Sequence, residues 1–507
     1  MKNFFKILIF IVLLFLTPFI FLAFVNFGGN KIYYVFFTLI SFFSVIFSFR
    51  EKGFFFEKFF SIYLWLGLWL KFTLFRSIFL NNPPGGIGFF EFNEESLNEL
   101  MVLASIPFLS LTLSSIIFSK FNYNNKFIPN NFWSKIYKNF RLLILIILII
   151  LISVITLLNL NFGIYQKGLV SNLDLPFVIS GFFKWFYLIG SGVIISLIIK
   201  YELEIKKNVS HLLYGVLLFE TFISNITLLS RAMIFNISAI FYGIFQSLIL
   251  DKENKQRIKK LFVYYLIVII LFLVSVPVIN QIREKVYYVD DYIKIEKAEV
   301  FGQSANEKKH IKKDRQNNEK EINKFSDHKF LENKIITNTF FKAVQLIYIR
   351  FVGIESLMAV SSYENKSFLN LIEAFDEKID YSNYNYYYTK YVLVEQKKID
   401  ENFTNDKKYL TKNQYTIHVP GIVSFLYYAG SKTFLFFSIF LIGILFFYFE
   451  KLVFYSSSGN IILTAFISHI ISYRLAHFGY VPTQSYLFFG SLIITIFVIF
   501  LFNKYFK

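Results

Sequence analysis

The chain alternates long runs of Phe, Ile and Leu with short polar breaks, and one long polar segment interrupts that rhythm. Runs of roughly 18 to 23 apolar residues are long enough to cross a hydrocarbon core of about 30 Å as helices. A transmembrane barrel would show alternating strands of about ten residues, and none is visible. The pattern predicts an all-α, polytopic membrane protein of about twelve spans. They lie near 4–26, 31–49, 59–79, 98–118, 141–160, 177–199, 209–229, 231–250, 261–279, 430–449, 459–475 and 483–502. Spans one to nine form a membrane bundle over 1–279, and the last three a second stretch over 430–507. Between them, 280–429 is a large extracytoplasmic segment. Within it, 338–362 carries an apolar stripe at helical spacing, which predicts an amphipathic helix at the interface.

Orientation follows from Lys and Arg. Alternate loops hold Lys2 and Lys6; Arg50, Lys52 and Lys58; Lys120, Lys126, Lys135 and Lys138; Lys200, Lys206 and Lys207; and Lys252 to Lys260. The opposite short loops hold little beyond Lys31, Lys167 and Arg231. The positive-inside rule then predicts that these loops and both termini face the cytoplasm and that the long segment lies outside. The net charge of +18 is accounted for in large part by these loops, so it gives no reason to invoke nucleic acid. The basic start MKNFFKILIF precedes an apolar run too long for a signal peptide, and no small-x-small site follows, so the first span is expected to be retained. With no cysteine, disulfides and thiolate chemistry are excluded.

Ionisable side chains inside spans are costly and usually face a bundle interior or a wet cavity. Lys71, Lys184 and Glu220 fall in the outer halves of their spans, with Arg76 a turn nearer the surface. They suggest a cationic pocket open to the outside, with Glu220 orienting a lysine or acting on substrate. A structural Lys184–Glu220 pair, or lysines reaching for headgroups, are the plainer alternatives. LLSRAMIF places Arg231 at an outer turn, where its planar fork suits a phosphate or a lipid headgroup. RFVGIESLMAV carries Arg350 and Glu355 on the amphipathic stripe. Arg474 and His477, three residues apart in ISYRLAHFGY, share a helical face at the outer boundary. A cation beside an imidazole suits an anionic leaving group and a proton acceptor. His418, where the long segment re-enters the membrane, is a second candidate base. YSNYNYYYTKY offers aromatic faces either to sugars or to the membrane interface. There is no Walker loop, HExxH zinc motif or GxSxG elbow, so no cofactor and no metal are expected.

The layout, with LLSRAMIF, RFVGIESLMAV and HVPGIVSFLYYAGS as its local anchors, resembles the bacterial O-antigen (oligosaccharide repeat-unit) polymerases and their relatives the O-antigen ligases. One departure concerns the Arg and Gly that polymerases separate by ten residues: Arg231 reaches Gly243 one position late, and Arg350 has Ser361 there. The resemblance implies a metal-independent glycosyltransferase using undecaprenyl-diphosphate-linked glycan in O-antigen, capsule or exopolysaccharide synthesis. It also implies membrane lipids and a chain-length regulator protein as partners, and no nucleic acid. On that reading Arg231, Arg350 and Arg474, with Lys71, Lys184 and Arg76 behind them, neutralise the departing diphosphate. His477, His418 or Glu355 takes the acceptor proton. A ligase, a lipid-linked oligosaccharide flippase and a structural membrane protein are the rival readings.

Overall fold

A computed structural model describes residues 15–50, 53–79, 87–118, 131–166, 175–230, 233–250, 255–300, 351–376, 392, 419–479 and 482–505. Arg231, Arg350, His418 and the YSNYNYYYTKY stretch lie outside the described residues. Among the described residues every regular element is helical. That is the expected solution for apolar segments in lipid, where each backbone N–H and C=O must be satisfied within its own segment.

In chain order the main helices are α1 (Phe15–Val25), α2 (Lys31–Ser48), α3 (Phe55–Ile78), α4 (Glu94–Phe118), α5 (Asn131–Phe162), α6 (Phe177–Lys206), α7 (His211–Thr227), α8 (Met233–Leu250) and α9 (Lys255–Val300). After the long segment come α10 (Ile354–Ser362), α11 (Phe368–Phe375), α12 (Gly421–Leu426), α13 (Lys432–Ser456), α14 (Ile461–Ala476) and α15 (Pro482–Tyr505). Eight of the helices among the described residues are long and apolar enough to cross a membrane; α1, α8 and α14 are shorter apolar helices. The protein is therefore an all-helical, membrane-embedded chain. Side-chain caps set several starts: Asn30 accepts from Ile32 N–H, Ser210 from Leu213, Ser431 from Phe434, and Asn460 from both Ile462 and Leu463.

Two boundaries differ most from the sequence expectation. Helix α5 begins ten residues before the expected position and bends at Phe140 (φ −114°, ψ 20°), so its amphipathic first turns sit on the bundle before the apolar part starts. Helix α9 does not stop near residue 279 but runs through Pro277 and past Asn280 to Val300.

Helix α14 is the axis of the bundle. It packs against α3, α6, α8 and α13, and nearly every residue from Ile461 to Ser472 is buried. Small residues let its neighbours close in. A Cβ at Gly243 of α8 would lie 2.7 Å from the Cα of Ile462, and one at Gly192 of α6 would lie 2.1 Å from the Phe466 ring. Rings of Phe fill the remaining space, as where Phe54 stacks on Phe447 at 4.5 Å.

At one end of the bundle the chain is stapled by charge. The Glu450 carboxylate of α13 accepts the Phe55 and Phe56 N–H groups at 2.8 and 2.7 Å, capping α3, and also accepts from Ser468. Arg50 pairs with Glu57 at 2.8 Å, Arg141 grips both oxygens of Glu202, and Lys200 reaches the Ser457 carbonyl at 3.1 Å. The opposite end carries α10 to α12 and the candidate site.

Candidate functional site

Two helices that line this end are interrupted by π-helical turns. In α3 they cover Trp65–Leu70 and, running one residue past its end, Phe75–Phe79, and in α6 Phe186–Gly190. Such turns widen a helix by one residue, displace side chains from their regular positions and are frequent at functional sites. Lys71 sits between the first pair, and Lys184 two residues before the third.

Lys71 is buried and forms an ion pair with Glu355 of α10; its ammonium also donates to the Phe351 carbonyl at 2.8 Å. The approach requires two glycines. A Cβ at Gly67 would sit 2.1 Å from the Val352 carbonyl oxygen, and one at Gly353 would sit 2.5 Å from the Gly67 oxygen. Helix α10 is buried in the bundle rather than laid on an interface: Ile354, Leu357, Met358, Ala359 and Val360 are all at most 1% exposed. The apolar stripe expected over 338–362 is thus real in its described part, but the opposite face is small and polar enough to be covered as well. There Ser356 shares its hydroxyl proton between the Gly353 carbonyl (2.7 Å) and the Pro420 carbonyl (2.6 Å), and accepts from Ser424 at 3.1 Å. The stretches RFVGIESLMAV and HVPGIVSFLYYAGS therefore pack on one another. The second docks on the end of α14, where Gly421 N–H donates to the Phe478 carbonyl at 2.9 Å and Gly479 (φ 94°) lets Pro420 come close.

Burial pushes the Glu355 carboxyl above its ordinary range, and the Lys71 charge opposes that shift. As a general base it starts out bound to a cation. Arg76 is likewise engaged. Its guanidinium donates to the Asn26 carbonyl while the Asn26 amide donates back to the Arg76 carbonyl at 3.2 Å, with the Phe75 and Phe92 rings alongside. Both Lys71 and Arg76 thus hold chain segments against α3.

A second group of cations gathers on Tyr165, in the turn after α5. Asn159 fixes this residue by donating to its carbonyl at 2.9 Å and accepting its N–H at 2.6 Å. The Lys184 ammonium lies 6.0 Å from the Tyr165 ring centre. Arg474 is close enough for its charge to hold down a Tyr165 phenol that burial pushes up. Arg474, in the last turn of α14, donates from Nε to Ser485 at 3.2 Å and lies over the Phe488 ring. A cation at that position is also favoured by the negative end of the helix dipole. His477 follows at the helix end, its ring stacked 4.2 Å from Tyr473 and its Nδ1 donating to the Tyr473 carbonyl at 3.0 Å. With that proton on Nδ1, Nε2 is the basic atom of the neutral ring.

Glu220 does not meet a lysine. It accepts from Ser224 at 3.0 Å and Thr221 at 3.4 Å, and Ser191 faces it from α6. Glu220 therefore orients no lysine among the described residues, and the alternative of a Lys184–Glu220 pair is not formed either, since Lys184 turns to Tyr165 and the carboxylate lies beside Tyr187.

Sequence reasoning missed the buried Glu57, Lys58, Lys200, Glu202 and Glu450, and His469, which lies beside Tyr63 in the middle of α14. The rule that singled out Lys71 reaches only His469 among them, because the others lie just beyond the expected span ends, and Lys58 and Lys200 were counted with the basic loops. Among the described residues no three His, Cys, Asp or Glu side chains gather as metal ligands do. Compared with protein-family models, curated proteins and solved structures, the chain matches none.

Proposed function

We propose that the protein is a glycosyltransferase of the outer face of the cytoplasmic membrane, extending undecaprenyl-diphosphate-linked glycan repeats. The observation that carries this reading is the convergence of Lys184 and Arg474 on Tyr165, with His477 at the end of the same helix as Arg474. This cationic group lies at the end of the bundle opposite the basic loops. By the positive-inside rule that end faces outward, and twelve spans put both termini in the cytoplasm.

An anionic diphosphate at a membrane surface needs cations and a partly dry site, where charge stabilisation counts for more than in water. Arg474 and Lys184 would receive the departing diphosphate as the bond from the donor anomeric carbon breaks. The acceptor hydroxyl forms the new bond to that carbon and gives its proton to His477 Nε2. Lys71 and Glu355 act as positioning residues that hold the docked segment, and with it the approach to the site. Arg231, Arg350 and His418 belong to the proposal on sequence grounds.

The test is deletion of the gene followed by complementation. Single repeats capped on the outer carrier lipid mark a polymerase, long chains left on the carrier a ligase, and inward-facing precursor a flippase. Complementation with Arg474→Ala should restore a membrane-inserted protein but no long glycan. An unchanged chain-length ladder removes Arg474 from the site.

A further inference from the structure

Helix α11 meets three different surroundings around its circumference. Leu371 and Ala374 are buried, and the Phe375 ring packs on Phe425 at 4.8 Å and Phe478 at 6.2 Å. With about 3.6 residues per turn, Phe368, Ile372 and Leu369 follow on the adjoining arc. The described residues leave these three 56%, 50% and 71% exposed. Glu373 and Asn370 close the circle as a narrow polar edge. Three neighbouring large apolar side chains call for a cover other than water.

The two ends of α11 say what that cover is. At its start, the Phe368 ring meets the Phe434 ring of α13 edge-on at 5.6 Å. Phe434 heads a helical stripe continued by Phe437, Leu441 and Leu445. At its finish, the Phe375 carbonyl accepts the Tyr486 hydroxyl of α15 at 3.1 Å. Tyr486 heads a stripe continued by Ile493 and Phe497. All five continuing residues are more than half exposed, on two helices long and apolar enough to cross a membrane. Helix α11 thus bridges the site-end margins of two lipid-facing surfaces, beside a tyrosine of the kind that gathers where hydrocarbon gives way to headgroups.

We infer that α11 is a lipid-binding interfacial helix, with Phe368, Leu369 and Ile372 set among the acyl chains of the leaflet at this end of the bundle and Glu373 turned to the headgroups. An apolar arc beside a charged edge suits that position. Because Phe375 packs on Phe478, next to His477, α11 also holds the end of α14 at headgroup depth. The inference does not depend on the glycan reading; it needs only that α13 and α15 cross the bilayer.

Single nitroxide labels on the cysteine-free chain, reconstituted in lipid vesicles, test it directly. Relaxation by O₂, which concentrates among acyl chains, is compared with relaxation by a water-soluble nickel chelate. Leu441→Cys on α13 is the reference for lipid, and Asn365→Cys, just before α11, the reference for water. At Leu369→Cys and Ile372→Cys the oxygen-to-nickel ratio should be several times that at Asn365→Cys and lie toward that of Leu441→Cys. At Glu373→Cys it should fall back toward the water reference. A ratio at either apolar position no higher than that of Asn365→Cys would put the face in water. Protection of either from both reagents would mean that another protein surface, such as a second copy of the chain, covers it. Either result overturns the inference, and neither readout involves glycan synthesis.

Discussion

Lys71 on α3 and Glu355 on α10 are joined in a buried ion pair, with side-chain exposures of 3% and 10%. The pair fastens a segment far along the chain to a helix near its beginning, beside the crossing of Gly67 and Gly353. Breaking one partner leaves a buried charge without compensation, at a cost of about 3–5 kcal/mol, whereas replacing both with apolar residues of similar size removes the penalty. Lys71→Met alone and Glu355→Leu alone should each lower the thermal unfolding temperature in detergent, and the double variant should recover most of the loss. Additive losses in the double variant would show that the two side chains do not act as a pair.

The Gly67–Gly353 crossing sets the depth of that docked segment. Gly67→Ala would put a methyl against the Val352 carbonyl, which is backbone and cannot swing aside as a side chain does. The chain at 351–353 must shift, at a cost typical of overpacking, about 1–3 kcal/mol. Because Gly421 adjoins both Val352 and Ala476, the shift should also reach the end of α14. The expected outcome is a protein that still inserts but makes shorter glycan. Gly215→Ala, where nothing lies within 4 Å of the new methyl, should leave the ladder as it is.

The helical, membrane-embedded class was legible because lipid enforces helices and apolar length. The left-handed backbone of Leu229 (φ 49°) after α7 was not. The π-turns were not: a wider turn leaves the spacing of an all-apolar run unchanged, so WLGLWL reads the same either way. Lys71 and Glu355 were each visible as candidates, yet their pairing was hidden, since no local pattern links residues so far apart in sequence. The end of α10 was misjudged for a different reason. Periodicity shows one apolar face, but Ser356 and Ser424 bury the other through hydrogen bonds that sequence spacing does not reveal. Arg474 and His477 were found by their helical spacing, whereas Tyr165, which brings Lys184 and Arg474 together, lies in a turn that carries no pattern.

Glu450 separates stability from chemistry. It accepts the first N–H groups of α3 at the end of the bundle opposite the site, where a carboxylate is also favoured by the helix dipole. Glu450→Ala leaves those donors buried without an acceptor, at about 1–3 kcal/mol. The amount of inserted protein and its unfolding temperature should fall. Glycan length per inserted molecule should stay at the parental value, in contrast to Arg474→Ala. Loss of long chains at undiminished protein level would place Glu450 in the reaction after all.

The chain has no cysteine, so single cysteines can report which side each end of the bundle faces. Asn365 is exposed between α10 and α11, at the site end, and Gln256 is exposed at the start of α9, at the basic end. Both side chains are uncharged, so replacing them leaves the Lys and Arg distribution that directs insertion unaltered. On intact cells a membrane-impermeant maleimide should label Asn365→Cys and spare Gln256→Cys until the membrane is opened. The reverse pattern would put Arg474, Lys184 and His477 in the cytoplasm, out of reach of an outward-facing carrier lipid. Labelling of both in intact cells would mean that the two ends are not separated by a bilayer, which conflicts with the lipid-facing apolar surfaces of α9, α13 and α15.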